Sequence, residues 1–284
     1  QYKKYFYQYF AKTLKPIYTQ TTMLDQAAVT YLVVAAPINR VEAKLECFPL
    51  MGCFPYLGFF KKDSAEDYQH SLQKAGWVTW LRPVYAYSTL GYLTDPILSS
   101  FFYYDDFSLA ELIFHELFHT LFFIKDEVEL NENLANYFGK EMAREYFQWN
   151  AEKRQQAKER LQAEEAINLK IVALTERLNQ LYQSGGVADT IFKAFMEEEF
   201  LPTLKAACRL HHLVPCSYAE RQWNNASLAA FLTYEARSGA VAELHRRQKV
   251  SLKEFYSFLE KQYDSFKADS RKHSTFGQFL WGLL

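Results

Sequence analysis

Three side chains with coordinating or proton-transferring chemistry sit in an otherwise apolar stretch, LAELIFHELFHTLFFI: His115, Glu116 and His119. On a helix, residues four apart lie on one face, one turn from each other. His115 and His119 can therefore offer two imidazole nitrogens to one ion, each at about 2.0–2.1 Å if the ion is zinc. Glu116 is turned about 100° away from His115, so it can reach a water beside the ion without ligating the ion itself. Burying three such groups without partners would cost several kcal/mol. A metal ion relieves that cost. The spacing H-E-x-x-H arises by accident in a chain of this composition on the order of once in a hundred chains. The alternative, two satisfied core histidines and a surface glutamate, needs a polar helix face, and this helix has none.

A hydrolytic zinc site takes a third protein ligand and keeps a position open. Downstream candidates are Glu127, Glu129 and Glu132. Glu132, in NENLAN, follows a short loop and can turn back from the next helix. Glu129 fits an Asp126-x-x-Glu129 helix start. The next histidines, His211 and His212, are far along the chain, so a third imidazole is not expected. Asn136, one turn after Glu132, is placed to orient a ligand. The chemistry of such a set is metal-assisted hydrolysis, with Glu116 taking the water proton and passing it to the leaving amine. Tyr137, Tyr146 and Tyr234 are candidate donors to the tetrahedral oxyanion.

Several elements must position these groups. We expect the ligand helix to begin with a capping box from Ser108 to Glu111 and a second helix over 127–149. A long helix over 150–183 should pack through Ile167, Ile171, Leu174, Leu178 and Leu181, ending at Gly185-Gly186. Upstream, residues 1–20 read as an aromatic helix ending near Lys15-Pro16. AVTYLVVAA (28–36) reads as a strand and 63–75 as a helix closed by Gly76. Residues 77–93 read as strands in an edge position, because Pro83 and Gly91 interrupt them. The YSTLGY stretch there could pair with an extended peptide substrate. After Gly186 the pattern suggests four or five shorter helices. The fold class is α+β: an N-terminal mixed part over 1–107 and a helical, site-bearing part over 108–284, joined as one continuous domain.

The bulk properties narrow the function. The 284 residues are 49% hydrophobic and 17% aromatic, too apolar for disorder. A formal net charge of −1 gives no basic field for nucleic acid. No run of 18 apolar residues spans a bilayer. The chain opens on QYKKYFYQYF without an initiator Met, so an upstream export signal or membrane anchor is expected to have been removed. Cys47/Cys53 and Cys208/Cys216 are two close pairs, read either as free buried thiols or as two local disulfides of an oxidising compartment.

CFPLMGCFPYLGFF, YAYSTLGYLTDPILSS and LAELIFHELFHTLFFIKDEVELNENLA together resemble the bacterial predicted-aminopeptidase family, formerly a domain of unknown function. The resemblance runs over about 30–150 and returns weakly at WNNASLAAFLTY (223–234). It implies a gluzincin-type zinc site of His115, His119 and Glu132 with Glu116 as base, and it favours Tyr234 as the oxyanion donor. It also implies Zn2+ as cofactor, a peptide substrate and removal of N-terminal residues, for which Glu111 and Asp95 are candidate anchors of the substrate ammonium. The setting it implies is the periplasm or cell envelope, with lipid attachment through an N-terminal segment. Departures are HELFHT in place of HELAHQ, KDEVEL in place of a glycine-containing turn, and a shorter stretch between Gln20 and Ala28. The rival expectation is a zinc-stabilised envelope scaffold or assembly factor without hydrolysis, which would have no use for Glu116.

Overall fold

The computed structural model describes residues 1–284 except 27, 50, 51, 86–94, 149, 236, 237 and 269–274. The YSTLGY stretch thus lies outside the described residues. In chain order the elements begin with α1 (Tyr2–Tyr9), β1 (Thr21–Thr22), β2 (Thr30–Ala36), β3 (Glu46–Phe48), β4 (Gly52–Phe54) and β5 (Leu57–Phe59). Then come α2 (Lys62–Lys74), β6 (Val78–Val84), β7 (Ile97–Leu98), a 3-10 turn, α3 (Asp106–His119), α4 (Val128–Tyr146) and α5 (Ala151–Gln183). The remainder is α6 (Ala188–Phe195), a π-helical turn, α7 (Leu201–Leu210), α8 (Ser217–Glu220), α9 (Asn225–Glu235), α10 (Ser238–Gln248), α11 (Leu252–Ala268) and α12 (Phe276–Trp281). The mainly helical α+β class holds. Among the described residues seven α-helices, not four or five, follow Gly186.

The chain forms two compact units, each discontinuous: residues 1–29, 84–149 and 237–284 in the first, 30–83 and 150–236 in the second. Neither is a single stretch before or after residue 107.

The first unit carries α3 and α4. On α3, Ala110, Phe114, Leu117 and Phe118 recur at helical spacing and are fully buried, with Phe6, Phe10, Phe138 and Phe255 in the same core. Phe118 stacks on Phe138 with ring centroids 4.2 Å apart, and Phe138 stacks on Phe255 at 5.7 Å. Leu109, Leu112 and Ile113 pack against a second cluster of Val29, Leu98 and Phe101. Two separate apolar clusters explain why α3 is hydrophobic nearly all round. Its cap differs from expectation: Asp105, not Ser108, is the N-cap, and its carboxylate accepts from the Ser108 N–H at 2.9 Å. Asp is as good a cap as Ser and precedes it by three residues, so the same pattern fits both. Helix α1 stops at Tyr9, short of Pro16, because Ala11 turns to a φ of 51°.

In the second unit, β2 is the centre of a three-stranded sheet in the order β5-β2-β6, antiparallel to β5 with Leu32 opposite Gly58. Pro83 falls on β6, an edge strand, where its missing N–H does no harm. Val34 and Ala36 pack with Ala226 and Ala230 of α9. The expected seam of α5 is real: Ile167, Ile171 and Leu178 are fully buried in the core of this unit, with Leu174 and Leu181 packed against it. The NNA stretch is a structural knot. Asn224 accepts from Ser227 N–H to cap α9 and donates to Thr79 of β6, while Asn225 ties the end of β2 at Pro37 and Ile38 to Tyr182 of α5.

Both cysteine pairs are bridged, Cys47–Cys53 directly across the β3–β4 hairpin and Cys208–Cys216 across the turn after α7. Denatured, unreduced protein is therefore expected to titrate no free thiol. Four reactive thiols in such a titration would contradict the bridges.

Candidate metal centre

The loop between α3 and α4 returns the chain on itself. Asn131 clamps it: the buried amide accepts from the Ile124 N–H at 2.9 Å and donates to the Ile124 carbonyl at 2.6 Å. Asp126, standing where the resemblance places a glycine, turns the chain with a φ of 62°. Aspartate tolerates this left-handed conformation better than most residues. Val128 then starts α4, and Glu132 comes round in its second turn to face α3.

There it meets both histidines. The Nε2 atoms of His115 and His119 are 3.1 Å apart. Glu132 Oε2 lies 3.4 Å from His115 Nε2, and Oε1 lies 3.7 Å from His119 Nε2. Four ligands at zinc distances on a tetrahedron stand roughly 3.3 Å from one another. The three separations bracket that value, so the donor set and its spacing fit a metal ion. Among the described residues this is the cluster of three groups able to hold one. Two alternatives fall away. Glu127 spends both carboxylate oxygens on the Phe276 and Gly277 N–H groups at the start of α12. Glu129 is exposed in the first turn of α4.

The two histidines sit in different electrostatic surroundings. Burial holds His119 down, Glu132 offsets it only in part, and His115 adds to the effect, leaving a pKa of about 4. A neutral imidazole is the form that binds a metal. For His115, burial also lowers the pKa, but hydrogen bonding and charge from Glu132, the charge of Glu116 and a hydrogen bond with Asn136 carry it upward overall. Asn136 thus holds His115, as its place one turn after Glu132 suggested.

Glu116 is 9% exposed. Burial raises its pKa; His115 opposes this, while Glu132 and Asp95 reinforce it, to about 7. A carboxyl near neutrality can both take and return a proton. A cation at the adjacent triad would draw it toward the carboxylate, the form a base requires.

The other expected residues sort by surroundings. Tyr137 is committed, its hydroxyl 2.7 Å from His245 Nδ1. His245 Nε2 lies 2.9 Å from the Val250 carbonyl and must donate to it, so Nδ1 accepts from Tyr137. Tyr146 packs edge-on against Tyr2 and Tyr5 in an aromatic cluster with Phe114. Tyr234 belongs to the second unit, on α9, where Tyr56 stacks near it and the Arg82 guanidinium lies 5.2 Å over its ring. Its part in catalysis rests on the resemblance alone. Asp95 is buried in the first unit, and its backbone carbonyl accepts from the Tyr18 N–H. Glu111 lies on α3 one turn before His115, and its backbone carbonyl faces Gly139 of α4. Gly139 itself was not expected. A faint signal existed in Ala135, Gly139 and Ala143, small residues at four-residue spacing on one face of α4.

The whole of residues 2–274 matches the model of a family described as "Putative aminopeptidase". The chain belongs to that family. Comparison with curated proteins and with solved structures finds no significant match.

Proposed function

We propose that the chain is a zinc-dependent peptidase that removes residues from free peptide N-termini. One observation carries this reading: His115, His119 and Glu132 converge at 3.1–3.7 Å with the buried Glu116 beside them. A structural zinc site is closed by four protein ligands. Here three ligand atoms converge among the described residues. The buried carboxyl of Glu116 next to the triad serves proton transfer rather than closure.

When bound, a zinc ion would supply Lewis acidity, making water a usable nucleophile near neutral pH and polarising the scissile carbonyl. The chain's own residues do the rest. The His119 imidazole stays neutral and available, and Asn136 fixes the His115 ring. Glu116 removes the proton from the attacking water and delivers it to the leaving nitrogen, which departs as a neutral amine. Glu116 and His119 are themselves buried, and in such a setting the charge on Glu116 acts more strongly than it would in water.

The two disulfides support an oxidising compartment, and we place the protein in the cell envelope. Among the described residues no helix is long and apolar enough to cross a membrane.

The exopeptidase part follows from family membership and is tested with one peptide in two forms. The free N-terminus is expected to be trimmed stepwise, with the N-acetylated form resisting by at least about a hundredfold, because an ammonium-binding site loses its charge partner. Equal, internal cleavage of both forms would make the enzyme an endopeptidase.

A further inference from the structure

The ligand triad is split between two helices, so its dimensions depend on how closely α3 and α4 approach. At Gly139 the approach is closer than any other residue permits. A Cβ placed there would lie 2.8 Å from the Glu111 carbonyl oxygen, 3.1 Å from the His115 nitrogen and 3.2 Å from the His115 Cβ. Two of those three atoms are backbone, which no change of rotamer can move aside. Gly139 stands inside a helix, where glycine is disfavoured relative to alanine. Nothing in its local conformation calls for glycine, since it is not among the positive-φ positions. The close approach does.

Gly139 lies two turns beyond Glu132, on the same face of α4. Ala135 and Ala143, one turn to either side, are fully buried and continue the narrow stripe. We propose that Gly139 is a positioning residue of the metal centre: its missing side chain lets α4 close on α3 at His115, and this sets the reach of Glu132 to both imidazoles. The proposal rests on reading His115, His119 and Glu132 as the metal ligands. Restoring ordinary contact at 3.4 Å from the Glu111 carbonyl requires the helices to part by roughly half an ångström. Metal–ligand distances tolerate about 0.2 Å. The displacement exceeds that tolerance, so Glu132 and the histidines must readjust to keep hold of one ion.

The test measures zinc affinity, by competition with a chromophoric chelator, separately from the melting temperature of the metal-free protein. For Gly139→Ala we expect a zinc dissociation constant raised at least tenfold in protein that still melts cooperatively, and a changed visible spectrum when cobalt(II) replaces zinc. A purely structural role would lower the melting temperature and leave affinity and spectrum alone, and that result overturns the proposal. If Gly139→Ala gives no folded protein, Ala135→Ser adds one atom to the same stripe, one turn nearer Glu132. A several-fold loss of affinity supports the spacing, and unchanged affinity overturns it. Wild-type protein that binds no zinc would overturn the metal reading beneath, whereas tight wild-type binding unaffected by either variant overturns only the role of Gly139.

Discussion

Replacing Glu116 by glutamine is expected to cut peptide turnover by about a thousandfold while zinc content and fold stay as in the wild type. The size follows from what a positioned general base contributes, on the order of 10²–10⁴-fold. The sparing of fold follows from the surroundings. Glu116 is nearly buried, and burial is the largest influence on its pKa, acting against the charged form. Glutamine keeps the shape and removes a charge that the site disfavours, so the melting temperature should hold or rise slightly. Metal binding should persist, because the carboxylate that meets both imidazoles belongs to Glu132, not Glu116. The check is kcat/KM on a free peptide, with zinc measured by elemental analysis on the same sample. A Glu116→Gln enzyme with near-normal turnover would show that another group is the base.

The second large effect concerns the ligands. Glu132→Gln and His119→Ala are each expected to weaken zinc binding by more than about a hundredfold, since even loss of a supporting hydrogen bond costs 10–100-fold. Zinc stabilises the folded chain in proportion to its affinity for it. Added zinc should accordingly raise the melting temperature of the wild type and leave both variants where they are. Glu127→Gln is the informative contrast. It loses charge-assisted caps on two N–H groups of α12, costing roughly 1–3 kcal/mol, yet should bind zinc normally. If Glu127→Gln or Glu129→Gln abolished binding and Glu132→Gln did not, the wrong glutamate has been assigned.

What the sequence made legible is what local rules determine. The ligand helix, the long α5 and its seam, β2 and the edge position of Pro83 each follow from periodicity or from the needs of a single residue. His115 and His119 were readable because i, i+4 spacing is a property of the helix itself. Glu132 was one of three glutamates until the loop geometry separated them; the clamp by Asn131 and the turn at Asp126 decide which carboxylate comes round, and neither has a strong sequence signature. Helix ends were misjudged for a shared reason. Ala11, Gln148, His212 and Lys249 take φ values of 46–56° just past α1, α4, α7 and α10. Glycine is the usual residue at such helix ends, so composition gave no warning, and helices ran short or divided. Gly139 escaped notice because its importance is tertiary: only the facing backbone of Glu111 and His115 shows why a side chain cannot stand there. The discontinuity of the two units was equally invisible to patterns read along the chain.

The most direct test of the central claim is peptide hydrolysis before and after metal removal. Purified protein is stripped with a chelator, freed of it, assayed on a free peptide, and assayed again after one equivalent of zinc per chain. The expected result is loss of cleavage on stripping and its recovery at one equivalent, with no recovery in Glu132→Gln. Cleavage that persists in protein shown by elemental analysis to be metal-free would contradict a metal-dependent peptidase centred on His115, His119 and Glu132.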